Sequence, residues 1–220
     1  MGSDNASAKI SHLADDVYEC RMLNSFSVLI RETDEGLYPC REHGYWEAWI
    51  SLWMIRNVSY GMKCADVGAN IGYYTYLLNE LGAVVDAYEP NPDVFELLAQ
   101  AWLVNNSPAN VTMYNEAAGS ENKQVTFTVP VNNPMNGSLD GKAVGEDIQV
   151  QVSDRIGQQA FDFIKIDIEG GELDLFSVLD HDLHPLVLME FRWDRYEHKR
   201  NYQVLSGHFQ EVQLCILCRQ

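Results

Sequence analysis

Carboxylates and one lysine, standing at the ends of apolar runs, are the residues in this sequence whose types and spacing could do chemistry. The run at 161–172 carries Lys165, Asp167 and Glu169, and period-two alternation along a strand puts all three on one face. Three charges in line are costly to bury without partners. A chain that keeps them at the end of a central strand is expected to use them, the alternative being that they only pair with one another. The apolar run 186–189 also ends on a carboxylate, Glu190. A carboxylate lifted toward neutrality by burial or by its neighbours can take a proton from a hydroxyl group, so Glu169 and Glu190 are candidate bases. Lys165 would then anchor carboxylates or the substrate.

A second group surrounds two glycines. An apolar strand ends at Asp66, Gly68 and Gly72 follow four residues apart, and an apolar helix begins at once. Glycine at these positions predicts a tight turn with positive φ that also lets backbone approach a ligand. The helix start is expected to add unpaired N–H groups. The spacing is not the G-x-G-x-x-G of a dinucleotide site, and Asp66 would repel a pyrophosphate. An acid at this strand end suits a ligand carrying an ammonium or a sulfonium, which points to S-adenosylmethionine.

Glu89 lies 21 positions after Gly68, at the end of the next apolar run. A carboxylate there can accept hydrogen bonds from both hydroxyls of a ribose. One strand further on, Glu116 and Ala117 occupy the corresponding strand end and are candidates to border an adenine ring.

The elements that must position these groups follow from the pattern after residue 62. Strands are expected at 63–67, 84–88, 111–114 and 186–189 and in the run from 161 through Glu169, with helices at 72–81 and 93–105. Gly82 ends the first helix, and Pro90 and Pro92 stop a strand and start the second. This alternation predicts an α/β fold with a mostly parallel sheet covered by helices on both faces. Residues 125–129 and 148–152 alternate as the two arms of a hairpin-like excursion, the kind of variable loop that selects substrates. A helix to about residue 206, ended by Gly207, and one or two closing strands over 210–217 complete the chain.

Residues 1–61 read as an N-terminal extension packed on a domain of residues 62–220. Short strands are expected at 17–18 and 25–30. Trp46, Trp49, Ile50, Trp53 and Met54 recur at helical spacing over 45–57, as core or as part of a lid.

Composition bounds the partners. With 46% hydrophobic residues in 220, the chain can bury a substantial core. Its 32 acidic against 15 basic residues give a net charge of −17, which disfavours nucleic acid and anionic membrane surfaces. The five scattered cysteines read as reduced thiols of a cytoplasmic chain, with Cys215 and Cys218 as strand packing. No metal-ligand triplet is evident.

Taken together, Asp66 to Tyr74, Tyr88 to Pro92, Phe163 to Glu172 and the pair Met189-Glu190 resemble the FkbM family of S-adenosylmethionine-dependent methyltransferases. The resemblance covers roughly residues 62–191. It implies a Rossmann-like class I methyltransferase sheet of seven strands, the last antiparallel, and methyl transfer to a hydroxyl oxygen of a sugar or small metabolite. It further implies that Gly68, Asn70 and Gly72 surround the methionine part of the cofactor, Asp66 its ammonium and Glu89 its ribose. Asp167 would face the methionine or the acceptor. Gly171 and Ser153-Asp154 depart from the family pattern and bear on the acceptor. Two other readings remain: a nicotinamide-dependent oxidoreductase on the same sheet, and a scaffold that binds the cofactor without turnover.

Overall fold

Strand alternation sorts the central sheet into two buried faces. The computed structural model describes residues 10–14, 16–34, 38–131, 133–139, 144–180, 183, 186–191 and 213–218. Three antiparallel strands come first: β1 (Ile10–Ala14), β2 (Val17–Met22) and β3 (Phe26–Arg31), paired in that order. Helices α1 (Tyr38–His43) and α2 (Ala48–Asn57) lead to the first strand of the main sheet, β4 (Lys63–Val67). In α2, Ile50 and Met54 are buried while Trp49 faces solvent, so the tryptophan period is only partly a core period.

The α/β alternation then proceeds as expected. Helix α3 (Tyr73–Glu80) is followed by β5 (Val84–Tyr88), α4 (Pro92–Val104) and β6 (Val111–Tyr114). Helix α3 is buried continuously from Tyr73 to Leu78, as befits a helix enclosed on all sides. Asn91 caps α4 by accepting from the Asp93 N–H at 3.1 Å, with Pro92 in the first turn, where its missing N–H costs nothing.

The expected excursion is a hairpin of β8 (Lys123–Pro130) and β9 (Gly145–Ser153), joined by the two-residue strand β7 (Ala117–Ala118). At its base Asn122 Nδ2 donates to Asp154 Oδ1 at 2.7 Å. The chain returns to the sheet in β10 (Phe163–Ile166) and makes a short helix, α5 (Glu172–Phe176), that the sequence pattern did not predict. It ends in β11 (Leu186–Phe191) and β12 (Gln213–Cys218).

The main sheet has the order β12-β11-β10-β4-β5-β6, and every adjacent pair is parallel. Two expectations are corrected here. Six strands, not seven, make this sheet among the described residues, and β12 runs parallel to β11 rather than antiparallel. Residues 192–212 exceed the dozen or so that a parallel crossover needs, so the chain can return to the same end of the sheet before pairing. The helix expected to about residue 206, and Gly207 at its end, lie outside the described residues.

One face of the sheet carries Cys64, Val85, Ala87, Phe163 and Leu188 against α2, α3, α4 and β3. The other carries Ala65, Val67, Ile164, Ile166, Val187 and Met189 against Phe161, Leu175 and Phe176. The N-terminal strands are stitched to this core by Asn105, whose side chain accepts from the Ser27 N–H and donates to the Ser27 carbonyl, both at 2.8 Å.

Candidate functional site

By the same alternation, Asp66 shares a face with Cys64, and Lys165 shares it with Phe163. Both side chains therefore point under α3. Asp66 is fully buried: its Oδ2 accepts from Thr75 Oγ1 at 2.7 Å and its Oδ1 stands 3.2 Å from Lys165 Nζ, with no hydrogen-bond donor aligned on that oxygen. Lys165 also donates to the Gly68 carbonyl at 2.9 Å and lies 3.7 Å from Asp167 Oδ2. Burial works against its ammonium, but the charges of Asp66 and Asp167 outweigh burial and hold its pKa above the ordinary lysine value.

The glycine turn has the positive φ values expected, 74° at Gly68 and 91° at Gly72, with Asn70 also left-handed at 54°. Its glycines are also required by packing. A Cβ on Gly68 would meet the Asp167 carbonyl oxygen at 1.9 Å, and one on Gly72 would meet Leu98 and Tyr76 at 2.5 and 2.6 Å. The N–H groups of the turn itself, from Gly68 to Gly72, are also spoken for. Gly68 and Ala69 donate to the Tyr88 carbonyl, Asn70 to Glu89, Ile71 to its neighbour's Asn70 Oδ1, and Gly72 to the Ala69 carbonyl. A turn so satisfied is not a phosphate cradle.

Glu89 follows the last residue of β5 and is 7% exposed. Its Oε2 accepts from the Asn70 N–H and its Oε1 from the Asn91 N–H, each at 2.9 Å. A carboxylate oxygen can accept more than one hydrogen bond, so both oxygens keep capacity for further donors. Burial raises the Glu89 pKa to about 7, against the lowering effect of the two backbone N–H groups.

Strand β10 stops at Ile166, so Lys165, Asp167 and Glu169 are not three charges in line on a strand. Asp167 still donates its N–H to the Val67 carbonyl at 3.0 Å, and the chain then leaves the sheet through Gly170 and Gly171, at φ 93° and 95°. This departure leaves Lys165 buried beneath the turn while Asp167 and Glu169 are half-buried above it.

A cavity of about 230 Å³ opens over these strand ends. Of the expected site residues, Gly68, Asn70, Glu89, Ala117, Lys165, Asp167 and Glu169 line it. Four stand outside the lining. Asp66 lies beneath it, neutralised by Lys165, and Gly72 sits at the start of α3 with its Cβ position filled. Glu116 is turned aside by Arg155, whose Nε donates to its Oε1 at 3.0 Å. Glu190, half-buried, is the penultimate residue of β11, one register position beyond the Ile166–Met189 pair.

The sequence profile of the methyltransferase FkbM domain matches residues 66–211, well over half of the chain. This protein belongs to the FkbM methyltransferase family. The matched segment starts at Asp66 and contains the turn, Glu89 and the Lys165–Glu169 stretch.

Among solved structures similar to this FkbM-family chain is the methyltransferase FkbM from Methylobacillus flagellatus, at 22% identity and a TM-score of 0.41, with 58% of this chain and 32% of that one covered. The chain thus spans about a third of that protein's length. Fibrillarin from Aeropyrum pernix, solved with natively bound S-adenosyl-L-methionine, is similar at 12% identity and a TM-score of 0.45, over 91% of this chain and 90% of that one. A precorrin-6y C5,15-methyltransferase from Geobacter metallireducens gives 12% identity and 0.47, over 73% and 68%. No curated protein sequence matches significantly.

Two further walls come from segments that the sequence offered as part of a lid and as a substrate-selecting excursion. Cys40, Trp46, Tyr73 and Tyr74 close one side of the FkbM-family site, and Phe127 with Asn133–Gly137 closes another. The Cys40 thiol is pushed up to about 12 by burial and stands in the wall as a neutral apolar group. Tyr74 donates to Glu47 Oε2 at 2.7 Å, and its ring centre is 5.1 Å from Lys165 Nζ. The aromatic period of 45–57 was the available signal for Trp46; nothing in the sequence alone placed Tyr74 opposite Lys165. Among the described residues, no helix is long and apolar enough to cross a membrane and no group of three His, Cys, Asp or Glu could hold a metal ion.

Proposed function

We propose that this chain is an S-adenosylmethionine-dependent methyltransferase acting on a hydroxyl oxygen of a sugar or other small metabolite. The observation that carries this reading is Glu89: a buried carboxylate at a cavity wall, held by two backbone N–H groups, with lone pairs left on both oxygens for the two ribose hydroxyls of a nucleoside. The turn beside it spends its N–H groups internally, which suits a nucleoside without a phosphate and disfavours the nicotinamide dinucleotide reading.

When bound, the cofactor supplies a methyl group on a sulfonium that leaves without an acid. What remains for the protein is to orient the acceptor in line with that methyl, exclude water and accept one proton. Gly68, Asn70 and Asp167 line the side toward the methionine part, and Ala117 the side toward the base. Lys165 acts from below, fixing the Gly68 carbonyl and two carboxylates rather than touching an acceptor. Of the two candidate bases, Glu169 lines the cavity and Glu190 does not. The net charge of −17 favours an acceptor that is neither nucleic acid nor a membrane lipid.

Titration calorimetry with S-adenosylhomocysteine and with NAD tests the cofactor, and transfer of labelled methyl to a panel of hydroxylated sugars and metabolites tests the reaction. Binding of NAD without S-adenosylhomocysteine would reverse the reading. Tight cofactor binding without transfer across a broad panel would favour the non-catalytic scaffold.

A further inference from the structure

Resting on the methyltransferase reading, we propose that Tyr74 contacts the acceptor oxygen and that Glu47, from the N-terminal extension, takes the proton. Tyr74 is 5% exposed, lines the cavity, and its ring faces the Lys165 ammonium that holds the Gly68 carbonyl. It therefore stands beside the turn. Its hydroxyl donates to Glu47 at 2.7 Å and keeps its lone pairs for another donor. Glu47 is half-buried, so a proton delivered to it has a way out to solvent.

The backbone agrees with a functional role for Glu47. At φ 36° and ψ 70° it is left-handed, a conformation that disfavours a residue with a Cβ, and its side chain does not cap α2. Ser51 and Tyr73 fix the surroundings: Ser51 Oγ donates to the Trp46 carbonyl at 2.8 Å and lies 2.9 Å from Tyr73 Oη. The carboxylate is thus carried to Tyr74 by a strained residue in a well-tied segment.

The proton balance closes. As the acceptor oxygen gives an electron pair to the methyl carbon, the carbon–sulfur pair stays on sulfur. The acceptor's proton passes to Tyr74 Oη, and the Tyr74 proton passes to Glu47 Oε2. Acceptor ether, neutral thioether and neutral Glu47 result, and the tyrosine ends as it began. Burial keeps the Tyr74 phenol well above its ordinary pKa, so it is suited to relaying a proton and not to storing the charge.

Sinefungin tests the assignment without the acceptor, because it carries an amine where the cofactor carries its sulfonium methyl. Calorimetry on the folded full chain measures its affinity relative to S-adenosylhomocysteine. Removing one charge-assisted partner through Glu47→Gln is expected to lower that ratio about tenfold, with Tyr74→Phe lowering it in the same direction and Glu47→Asp restoring part of it. If the wild type binds both ligands and neither Glu47→Gln nor Tyr74→Phe moves the ratio, the proposal is overturned while the cofactor reading stands. If the wild type binds neither ligand, the cofactor reading fails and the proposal with it. Circular dichroism melts identify a variant that has not folded, in which case the remaining two variants decide.

Discussion

Gly68 and Asp167 touch where the first turn meets the loop after β10, so closely that a Cβ on Gly68 would stand 1.9 Å from the Asp167 carbonyl oxygen. Two neighbouring parallel strands thus deliver their loops to the cavity as one packed unit. Gly68→Ala must both move that carbonyl and hold an alanine at φ 74°. The expected cost is about 2 kcal/mol or more, together with loss of S-adenosylhomocysteine binding. Urea denaturation and calorimetry check the two parts separately.

Glu89 gives a pH prediction. Burial sets its pKa near 7 in the folded chain, above the ordinary carboxylate value of 4.5. Ribose hydroxyls donate to the ionised form, so S-adenosylhomocysteine affinity should rise from pH 6 to pH 8, and Glu89→Gln should flatten the profile. Stability has the opposite sign. A raised folded-state pKa contributes stability that is full below about 4.5 and is lost as pH rises through about 7. Calorimetry and melts across that window separate the two trends.

Lys165→Met should strand Asp66 as a buried charge under α3. Breaking one partner of a buried pair costs about 3–5 kcal/mol, whereas Lys165→Met with Asp66→Asn should recover part of that loss. A double-mutant cycle by urea denaturation reads the coupling.

Asn91 has two jobs: it caps α4 and donates from Nδ2 to the Pro134 carbonyl at 2.9 Å, tying the hairpin tip to the ribose wall. Asn91→Ala should cost about 1 kcal/mol from the cap, and a melting shift of about 2–4 °C would register it. Faster proteolysis between residues 131 and 144 should accompany the shift.

Much of this was legible in the sequence because short-range physics fixes it. Short apolar runs between helical stretches marked strands β4, β5, β6, β10 and β11, period-two alternation marked both arms of the hairpin, and Pro92 and Gly82 marked helix ends. Glu89 was readable as a strand-end acid because its spacing from Gly68 reflects one βαβ unit. Asp66 was readable as charged but not as paired, since its partner Lys165 lies 99 positions away and the pairing depends on which strands are neighbours. Lys165, Asp167 and Glu169 looked collinear because alternation cannot show where a strand stops. Tyr74 and Glu47 escaped notice because their contact is made by the packing of α3 against the N-terminal extension, which no local pattern encodes.

The bond between Asn122 and Asp154 gives the hairpin a closed base, so the chain leaves the α/β frame and rejoins it at nearly one place. A segment anchored in this way can be lengthened or replaced while the sheet keeps its register, since loop closure grows costlier only slowly with length. Its tip nevertheless reaches the cavity through Asn133–Gly137. The hairpin is therefore a module for exchange: grafting a relative's excursion between residues 122 and 154 would change what the cavity admits while leaving Glu89 and the glycine turn untouched.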